Sequence, residues 1–343
     1  MKRLFILLLM PLMFSCRENI NEDSDPVNVF EVVWNTLDQK YCFFDEKDVD
    51  WDDVYERYSV RIDKNTQSDD LFKILGEMIC ELRDGHVNLY SSNDIIRYWK
   101  WFEDYPSNFS EDLRDAYLGT DYQISSGLRY KMLEDSIGYI AYSSFSSGIS
   151  DSGLDFILSY FSNSPGIIID VRNNSGGDLA NVEKIACRFT EDKFVSGYIS
   201  HKNGPGHSDF SELYPIKIEP SSRVRSDRKV VILTNRSCYS ATNAFVSTMR
   251  QLPNVTILGD KTGGGGGFPI NSELPNGWIL RFSSCPMYDE TKSLTEDGID
   301  PDYSVNLYQS DVEKNIDTII EAARSLLKTG SLNSRHWISS EGI

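Results

Sequence analysis

Apolar residues recur at helical spacing through the first third of the chain. The first stripe runs from Phe30 to Tyr41, and two further stripes cover 51–62 and 68–82. Positions i, i+3, i+4 and i+7 lie on one face of a helix, so each stripe predicts an amphipathic helix, and Ser68 is a suitable N-cap for the third. A turn at Asp84-Gly85-His86 then leads into a short strand at 87–90. We therefore predict a small N-terminal helical domain over 29–90.

The pattern changes after residue 136, where strands and helices alternate. Continuous apolar runs at 166–171 and 229–234 predict strands buried on both faces. Further strands are predicted at 137–145, 255–259 and 278–283, and helices at 153–161, 178–189, 240–252 and 310–328. This alternation predicts a layered α/β core over 136–330, followed by a tail at 331–343.

The segment between these two parts, 91–135, is rich in aromatic residues and shows no clear period. We interpret it as a connecting subdomain, too short to form a full peptide-binding PDZ domain.

The N-terminus has the features of an export signal. Lys2 and Arg3 precede an apolar run at 4–14, which is too short to span a bilayer as a helix. Ser15 and Cys16 follow, and Leu-Met-Phe-Ser-Cys resembles a bacterial lipobox. This predicts removal of 1–15, a lipid on Cys16, a flexible tether over 16–28 and a location at the bacterial cell envelope. The alternative is ordinary signal cleavage nearby.

Charge and cysteine usage exclude several classes. A formal net charge of -18 leaves no basic face for phosphates, so nucleic-acid binding is excluded. Five cysteines remain besides Cys16, an odd number without a CxxC pair, which argues against a disulfide framework or a zinc site. The sequence does not decide whether two of these cysteines form a single disulfide bond. We expect no metal and no organic cofactor.

Ser240 is the first candidate for chemistry. It follows the buried strand at 229–234 and opens a helix, where developing negative charge is favoured. A serine at this place can also be a simple N-cap.

Two glycine-rich segments are further candidates. Gly176 and Gly177 follow a buried strand, and their amides could bind an oxyanion, although turn glycines before a helix are an alternative. The run at 263–267 is either a flexible loop or a place where substrate lies against bare backbone, with Gly263, Gly264 and Gly265 as the candidates.

Four segments in order resemble the tail-specific (C-terminal processing) serine peptidase family over about 136–307. They are the RNNSGG sequence at 172–177, SAT at 240–242, GDKTGGG at 259–265 and GIDPD at 298–302, with DGH at 84–86 upstream. The resemblance implies a crotonase-like or ClpP-like stack of ββα units as the core.

The resemblance also implies which catalytic style applies. In one branch a lysine activates the serine, but that position is occupied here by Gly265, and Lys261 is out of place. The sequence is closer to the tricorn-like and interphotoreceptor-retinoid-binding-like branch. Ser240 is then the nucleophile and His86 its base, with Glu296 orienting the imidazole or its hydroxyl partner.

Several assignments stay open within that scheme. Asp297 and Glu273 compete with Glu296 for the role of the supporting acid. The oxyanion hole would use the amide of Gly176 or Gly177 together with that of Ala241.

The predicted function is an exported, lipid-anchored serine endopeptidase that cleaves peptides or proteins through an acyl-enzyme. The main alternative is an inactive fold homologue that binds a peptide or a lipophilic ligand, or that captures substrate in an envelope complex. Crotonase-type acyl-CoA chemistry is disfavoured because export separates the protein from that cofactor.

Overall fold

The computed structural model describes residues 24–332. The predicted signal peptide, the predicted lipidation site Cys16, the first part of the predicted tether and nearly all of the tail lie outside these residues. The helices are α1 (Pro26–Lys40), α2 (Phe44–Lys47), α3 (Trp51–Ser59), α4 (Ser68–Cys80), α5 (Glu111–Leu118), α6 (Asp151–Tyr160), α7 (Ala180–Ala186), α8 (Ala241–Met249), α9 (Gln309–Val312) and α10 (Thr318–Thr329).

The strands form two sheets. They are β1 (Asn88–Tyr90), β2 (Ile95–Arg97), β3 (Gln123–Ser125), β4 (Leu128–Met132), β5 (Gly138–Tyr142), β6 (Gly166–Asp170), β7 (Phe194–Ile199), β8 (Tyr214–Ile218), β9 (Lys229–Thr234), β10 (Val255–Gly259), β11 (Gly267–Glu273), β12 (Ile279–Tyr288) and β13 (Tyr303–Ser304). One sheet has the order β2-β1-β12-β7-β8, with β11 also paired to β12, and the other has the order β13-β10-β9-β6-β5-β4-β3.

The N-terminal helices cover the first sheet. Their apolar stripes pack into one buried cluster together with Leu280 and Phe282 of β12. The predicted helices are confirmed, but Ser68 lies in the first turn of α4, and Gln67 takes the N-cap position without a side-chain cap. Because the stripes share one apolar cluster with β12, this layer is held to the rest of the chain by burial of apolar surface.

The second sheet lies between two apolar layers. Strands β13, β10, β9, β6 and β5 are parallel, and β4 and β3 are antiparallel. Helices α6, α7 and α8 contribute to the cluster on one face, and α10 to the cluster on the other. The α/β fold class with a small N-terminal helical region is therefore confirmed.

The region 91–135 does not form a module of its own, in contrast to the expected connecting subdomain. β2 pairs with β1 in the first sheet, and β3 and β4 extend the second sheet beyond β5. The reason is that strands this short satisfy their backbone groups only by pairing with an existing sheet edge.

The predicted helix at 310–328 is also interrupted. It divides into α9 and α10 at Asp317, whose Oδ1 accepts the amides of Ile319 and Ile320 and so caps the second helix. None of the helices within 24–332 is long and apolar enough to cross a membrane. The five cysteines of this region are free thiols.

The topology brings three of the predicted motifs together. β6, β9 and β10 are parallel neighbours, so the loops that follow them leave the sheet at the same edge. These loops carry Gly176-Gly177, Ser240 and the glycine run, respectively. Ligand sites of parallel sheets form at this carboxyl edge.

Candidate active site

Ser240 adopts a backbone conformation that side chains normally avoid. Its φ is 58° and its ψ is -120°. The amide of Thr242 donates to the carbonyl of Tyr239 at 3.1 Å, so Ser240 is the first central residue of a type II′ turn, a position typical of glycine. The side chain makes no capping hydrogen bond to α8. The alternative interpretation of Ser240 as a simple N-cap is therefore wrong.

His86 reaches Ser240 from the first sheet. It lies in the turn between α4 and β1, and its amide donates to Oδ1 of Asp84 at 2.7 Å. Its Nε2 lies 2.9 Å from Oγ of Ser240, within reach for proton transfer. The Nδ1 atom is buried and has no hydrogen-bond partner among the described residues. If Nε2 accepts the hydroxyl proton, Nδ1 carries the ring proton.

The surroundings keep this imidazole uncharged. Burial lowers the pKa of His86 to about 4, although the Asp84 carboxylate acts in the opposite direction. The positive charges of Arg281 and Lys47 lower this pKa further. At neutral pH the ring is therefore in the form that accepts a proton.

Glu296 does not orient the imidazole by a direct hydrogen bond, which corrects the predicted role. Its Oε1 lies 2.6 Å from Nζ of Lys47, and its Oε2 accepts the amide of Gly266 at 2.8 Å. A hydroxyl group could in principle link Glu296 to the imidazole. The residue directly before His86 is Gly85, however, so that position supplies no such hydroxyl. The competing acids Asp297 and Glu273 are both exposed, and Glu296 alone of the three is buried.

Glu296 and Lys47 form a buried ion pair close to Asp84. Burial and the Asp84 carboxylate raise the pKa of Glu296 to about 8, against the effect of Lys47. Burial alone would lower the pKa of Lys47, but the carboxylates of Glu296 and Asp84 raise it above its ordinary value. The cation supplied by α2 of the N-terminal region is thus stabilised by two carboxylates, and it pairs directly with that of Glu296.

Asp84 is the site residue that sequence reasoning overlooked. Besides the amide of His86, its carboxylate accepts the hydroxyls of Tyr41 at 3.2 Å, Ser283 at 2.8 Å and Tyr239 at 3.3 Å. An Asp that accepts the amide two residues later is an Asx-turn, so the bond to His86 could have been predicted. The three hydroxyls come from distant parts of the chain and carry no such local signal.

The predicted oxyanion hole needs one correction. The amide of Gly176 donates to Oδ1 of Asn174 at 3.0 Å and is not available. The amides of Gly177 and Ala241 have no acceptor among the described residues, and both residues line a cavity in front of Ser240. A side chain at Gly177 would collide with the backbone of Ser146, so the close approach requires glycine there.

The glycine run is mainly a packing segment. The carbonyl of Gly264 accepts the amide of Ser240 at 2.9 Å, and the amide of Gly263 donates to the carbonyl of Cys238 at 2.6 Å. Gly265 lines the cavity, whereas a Cβ at Gly263 or Gly264 would collide with neighbouring backbone carbonyls. The backbone positions Ser240, and only Gly265 of the three predicted glycines faces the space open to a substrate.

The cavity beside Ser240 has a volume of about 300 Å³. A hydroxyl that shares its proton with an uncharged imidazole attacks acyl groups, and free amides nearby stabilise the oxyanion that results. Fold and site together therefore define a serine hydrolase with an α/β core.

The chain belongs to peptidase family S41. The model of that family matches residues 136–305, and the model of the Tricorn protease C1 domain matches residues 25–80. The family predicted from the sequence is thus confirmed, and with it the enzyme class of the family, the serine-type peptidases.

Two relatives support this assignment. The crystal structure of a candidate peptidase from Parabacteroides merdae ATCC 43184 is 50% identical, with a TM-score of 0.86, and the match covers 91% of this chain and 99% of that one. The carboxy-terminal processing protease CtpB of Bacillus subtilis (strain 168) is 28% identical over 148 residues, which are 43% of this chain and 28% of CtpB.

More distant structures share the fold. Mature CPAF, solved with lactacystin, has a TM-score of 0.67 at 12% identity, and the match covers 90% of this chain and 99% of that chain. The chain spans only about a quarter of the length of the curated relatives it matches.

The backbone of Ser240 gives a testable consequence. We expect Ser240→Gly to be more stable than Ser240→Ala by about 1 kcal/mol, because glycine relieves the strain of a positive φ. Urea unfolding of the two variants measures this difference.

Ser325 in the interior of α10 is the matched control. There the order should be reversed, with alanine more stable than glycine by about 0.5–1 kcal/mol. Equal stability of the two Ser240 variants would contradict a strained turn.

The buried ion pair gives a second prediction. Above pH ~8, where Glu296 is ionised, Lys47→Met should lower the free energy of unfolding by about 3 kcal/mol, because it leaves a buried carboxylate without a cation. Since folding raises the pKa of Glu296 above its ordinary value of 4.5, the folded state favours the protonated form, and stability is lost as the pH rises through about 8. The loss in Lys47→Met should therefore be larger at pH ~8.5 than at pH ~5.5.

Urea unfolding at both pH values checks this, with two controls. The double variant Lys47→Met with Glu296→Gln should lose the extra pH dependence, because the carboxylate of Glu296 is no longer there to titrate. Lys131→Met, which breaks an exposed pair with Asp121, should change the stability little at either pH. An identical loss at both pH values would show that Glu296 does not depend on Lys47.

Proposed function

We propose that this chain is a serine peptidase that hydrolyses peptide bonds of peptides or proteins through an acyl-enzyme on Ser240. The observation that carries the proposal is the 2.9 Å contact between Oγ of Ser240 and Nε2 of a buried, uncharged His86. His86 takes the hydroxyl proton as Oγ attacks the carbonyl carbon. It then gives this proton to the leaving amine.

The negative charge of the tetrahedral intermediate forms on the carbonyl oxygen. The amides of Gly177 and Ala241 are the donors for it, and Ala241 is also the first residue of α8, where the helix dipole favours negative charge. In the second half of the reaction His86 activates a water molecule, which attacks the ester carbonyl and releases Ser240.

Asp84 serves this scheme as a positioning residue. It bonds to the backbone amide of His86 and not to its ring. The ring packs 5.1 Å from that of Tyr239, which itself stacks at 4.3 Å on Trp101. Packing together with the Asx-turn therefore sets the direction of Nε2.

Labelling with a fluorophosphonate tests the proposal. Wild-type protein should be labelled, Ser240→Ala should not, and His86→Ala should react at least about a hundredfold more slowly, because general-base catalysis is lost. Ser237→Ala is the matched control, since it removes a hydroxyl from the same loop and should label normally. Folded wild-type protein that does not label would favour a ligand-binding homologue instead.

The pH dependence of labelling sharpens this test. An activated serine needs the neutral imidazole, so reactivity is present above the pKa of His86 and is lost as the pH falls through about 4. An ordinary solvated imidazole would lose reactivity near pH ~6.5. Circular dichroism at each pH separates loss of the base from unfolding, and half-maximal labelling near pH ~6.5 would argue against the buried base.

We also propose that the chain is exported and anchored by a lipid on Cys16. The basic residues Lys2 and Arg3, the short apolar run and the lipobox-like end support this. In cells given radiolabelled palmitate, wild-type protein should carry the label and sediment with membranes. Cys16→Ser should do neither, and Cys42→Ser, which changes a buried thiol, should retain both. Label that persists in Cys16→Ser would reject the anchor.

A further inference from the structure

One side chain in the wall of the cavity beside Ser240 is positively charged and has no role in the proposed catalytic scheme. Arg281 lies on β12 and lines this cavity together with Ser240, Gly177 and Ala241. The rest of the wall is largely apolar and is formed by Leu179, Phe268, Pro269 and Met287. A substrate whose carbonyl reaches Ser240 therefore passes close to one guanidinium in mainly apolar surroundings.

Arg281 has no acidic partner within residues 24–332. No hydrogen bond or ion pair of its guanidinium occurs among these residues, and the residues opposite it on the neighbouring strands are the uncharged Asn88 and Asn271. The chain has 52 Asp and Glu against 34 Lys and Arg, so acids are not scarce. Several other arginines do pair with acids, including the buried Arg172 and Arg188.

The strand geometry directs Arg281 towards the catalytic residues. Side chains alternate along β12, and Ser283, two residues further on, donates to Asp84 below His86. Leu280 and Phe282 point the other way, into the N-terminal apolar cluster. The positive charge of Arg281 also acts on His86, which is consistent with a position beside the reacting atoms.

A partly buried guanidinium has lost some of its hydration and gains most from a carboxylate, which it can bind with two parallel hydrogen bonds. The single carboxylate of the cavity wall, Asp178, belongs to a different loop, and its Oδ1 accepts the amide of Ala180. The cavity therefore offers a binding site for an anion that the protein itself does not fill.

We propose that Arg281 is a specificity-determining residue that binds a carboxylate of the substrate within a few residues of the scissile bond. The carboxylate is either an acidic side chain or the free C-terminus of the peptide. This inference rests on the proposed peptidase function and adds the chemistry of the preferred substrate. Because the net charge of -18 repels acidic peptides at long range, the preference is a short-range effect of this one side chain.

The test uses internally quenched peptides of one parent sequence. Glu, Gln or Lys is placed in turn at each of the three positions on either side of the scissile bond. A second arm compares a free C-terminal carboxylate with its amide at one, two or three residues after the bond. The readout is the ratio of kcat/KM for the charged and the neutral member of each pair. This ratio cancels any effect of Arg281 on the basicity of His86.

For the wild type we expect one position or one terminus at which the carboxylate is favoured by about tenfold or more. Arg281→Gln should reduce this ratio to about one, and Arg281→Glu should reverse it in favour of Lys. Arg225→Gln is the matched control, because Arg225 is exposed, lines a different surface depression and should leave the ratio unchanged. A preference in the first set of peptides identifies the carboxylate as an acidic side chain, and a preference in the second set identifies it as the free C-terminus.

The outcomes separate this inference from the proposed function. Wild-type protein that reacts with fluorophosphonate and cleaves these peptides without a carboxylate preference overturns the role of Arg281 alone. A preference that persists in Arg281→Gln overturns it as well. Folded protein without any labelling at Ser240 removes the peptidase function and this inference together.

Discussion

The buried carboxylate of Asp84 is the interaction on which the site depends. Burial of a charged group is costly unless hydrogen bonds replace its hydration, and here four donors do so. They come from the end of α1, from β12, from the loop before α8 and from His86 itself. The N-terminal helices, the first sheet and the nucleophile loop therefore meet at one group. His86 can stand 2.9 Å from Ser240, although 154 residues separate them in sequence, because both flank this junction.

The same junction sets the electrostatics of the site. Asp84 and Glu296 would place two negative charges in a buried region, where Lys47 pairs with Glu296 and is also stabilised by Asp84. Lys47 and Arg281 oppose the influence of Asp84 on His86, so that burial dominates and the imidazole stays neutral. The supporting acid of the site thus acts through backbone position and local charge, without a hydrogen bond to the ring. Lys47 of the N-terminal region and Arg281 of β12 thus both contribute to the uncharged state of His86.

Much of this arrangement could be predicted from the sequence, because its signals are local or follow from strand order. The buried runs at 166–171 and 229–234 indicate parallel strands, and the loops after them carry Gly177 and Ser240. Three features of the site could not be predicted in this way. They are the contact of Glu296 with Lys47, the occupied amide of Gly176 and the hydrogen bonds of Tyr41 and Ser283 to Asp84. They depend on how the two sheets pack, and neither spacing nor residue type encodes that geometry. The strand pairings of region 91–135 could not be predicted for a related reason, since these short strands are defined by the sheet edges that they join.

The glycine at 265 follows from the same packing. Its φ is +75°, and a Cβ there would lie 2.5 Å from the ring of Tyr239. That ring is fixed by its hydroxyl on Asp84, by stacking on Trp101 and by its contact with His86. A lysine at this position would need the volume that Tyr239 occupies and a backbone conformation that disfavours side chains. The packing around Tyr239 therefore excludes a lysine at position 265 of this chain, and this packing depends on the same Asp84 carboxylate that accepts the amide of His86.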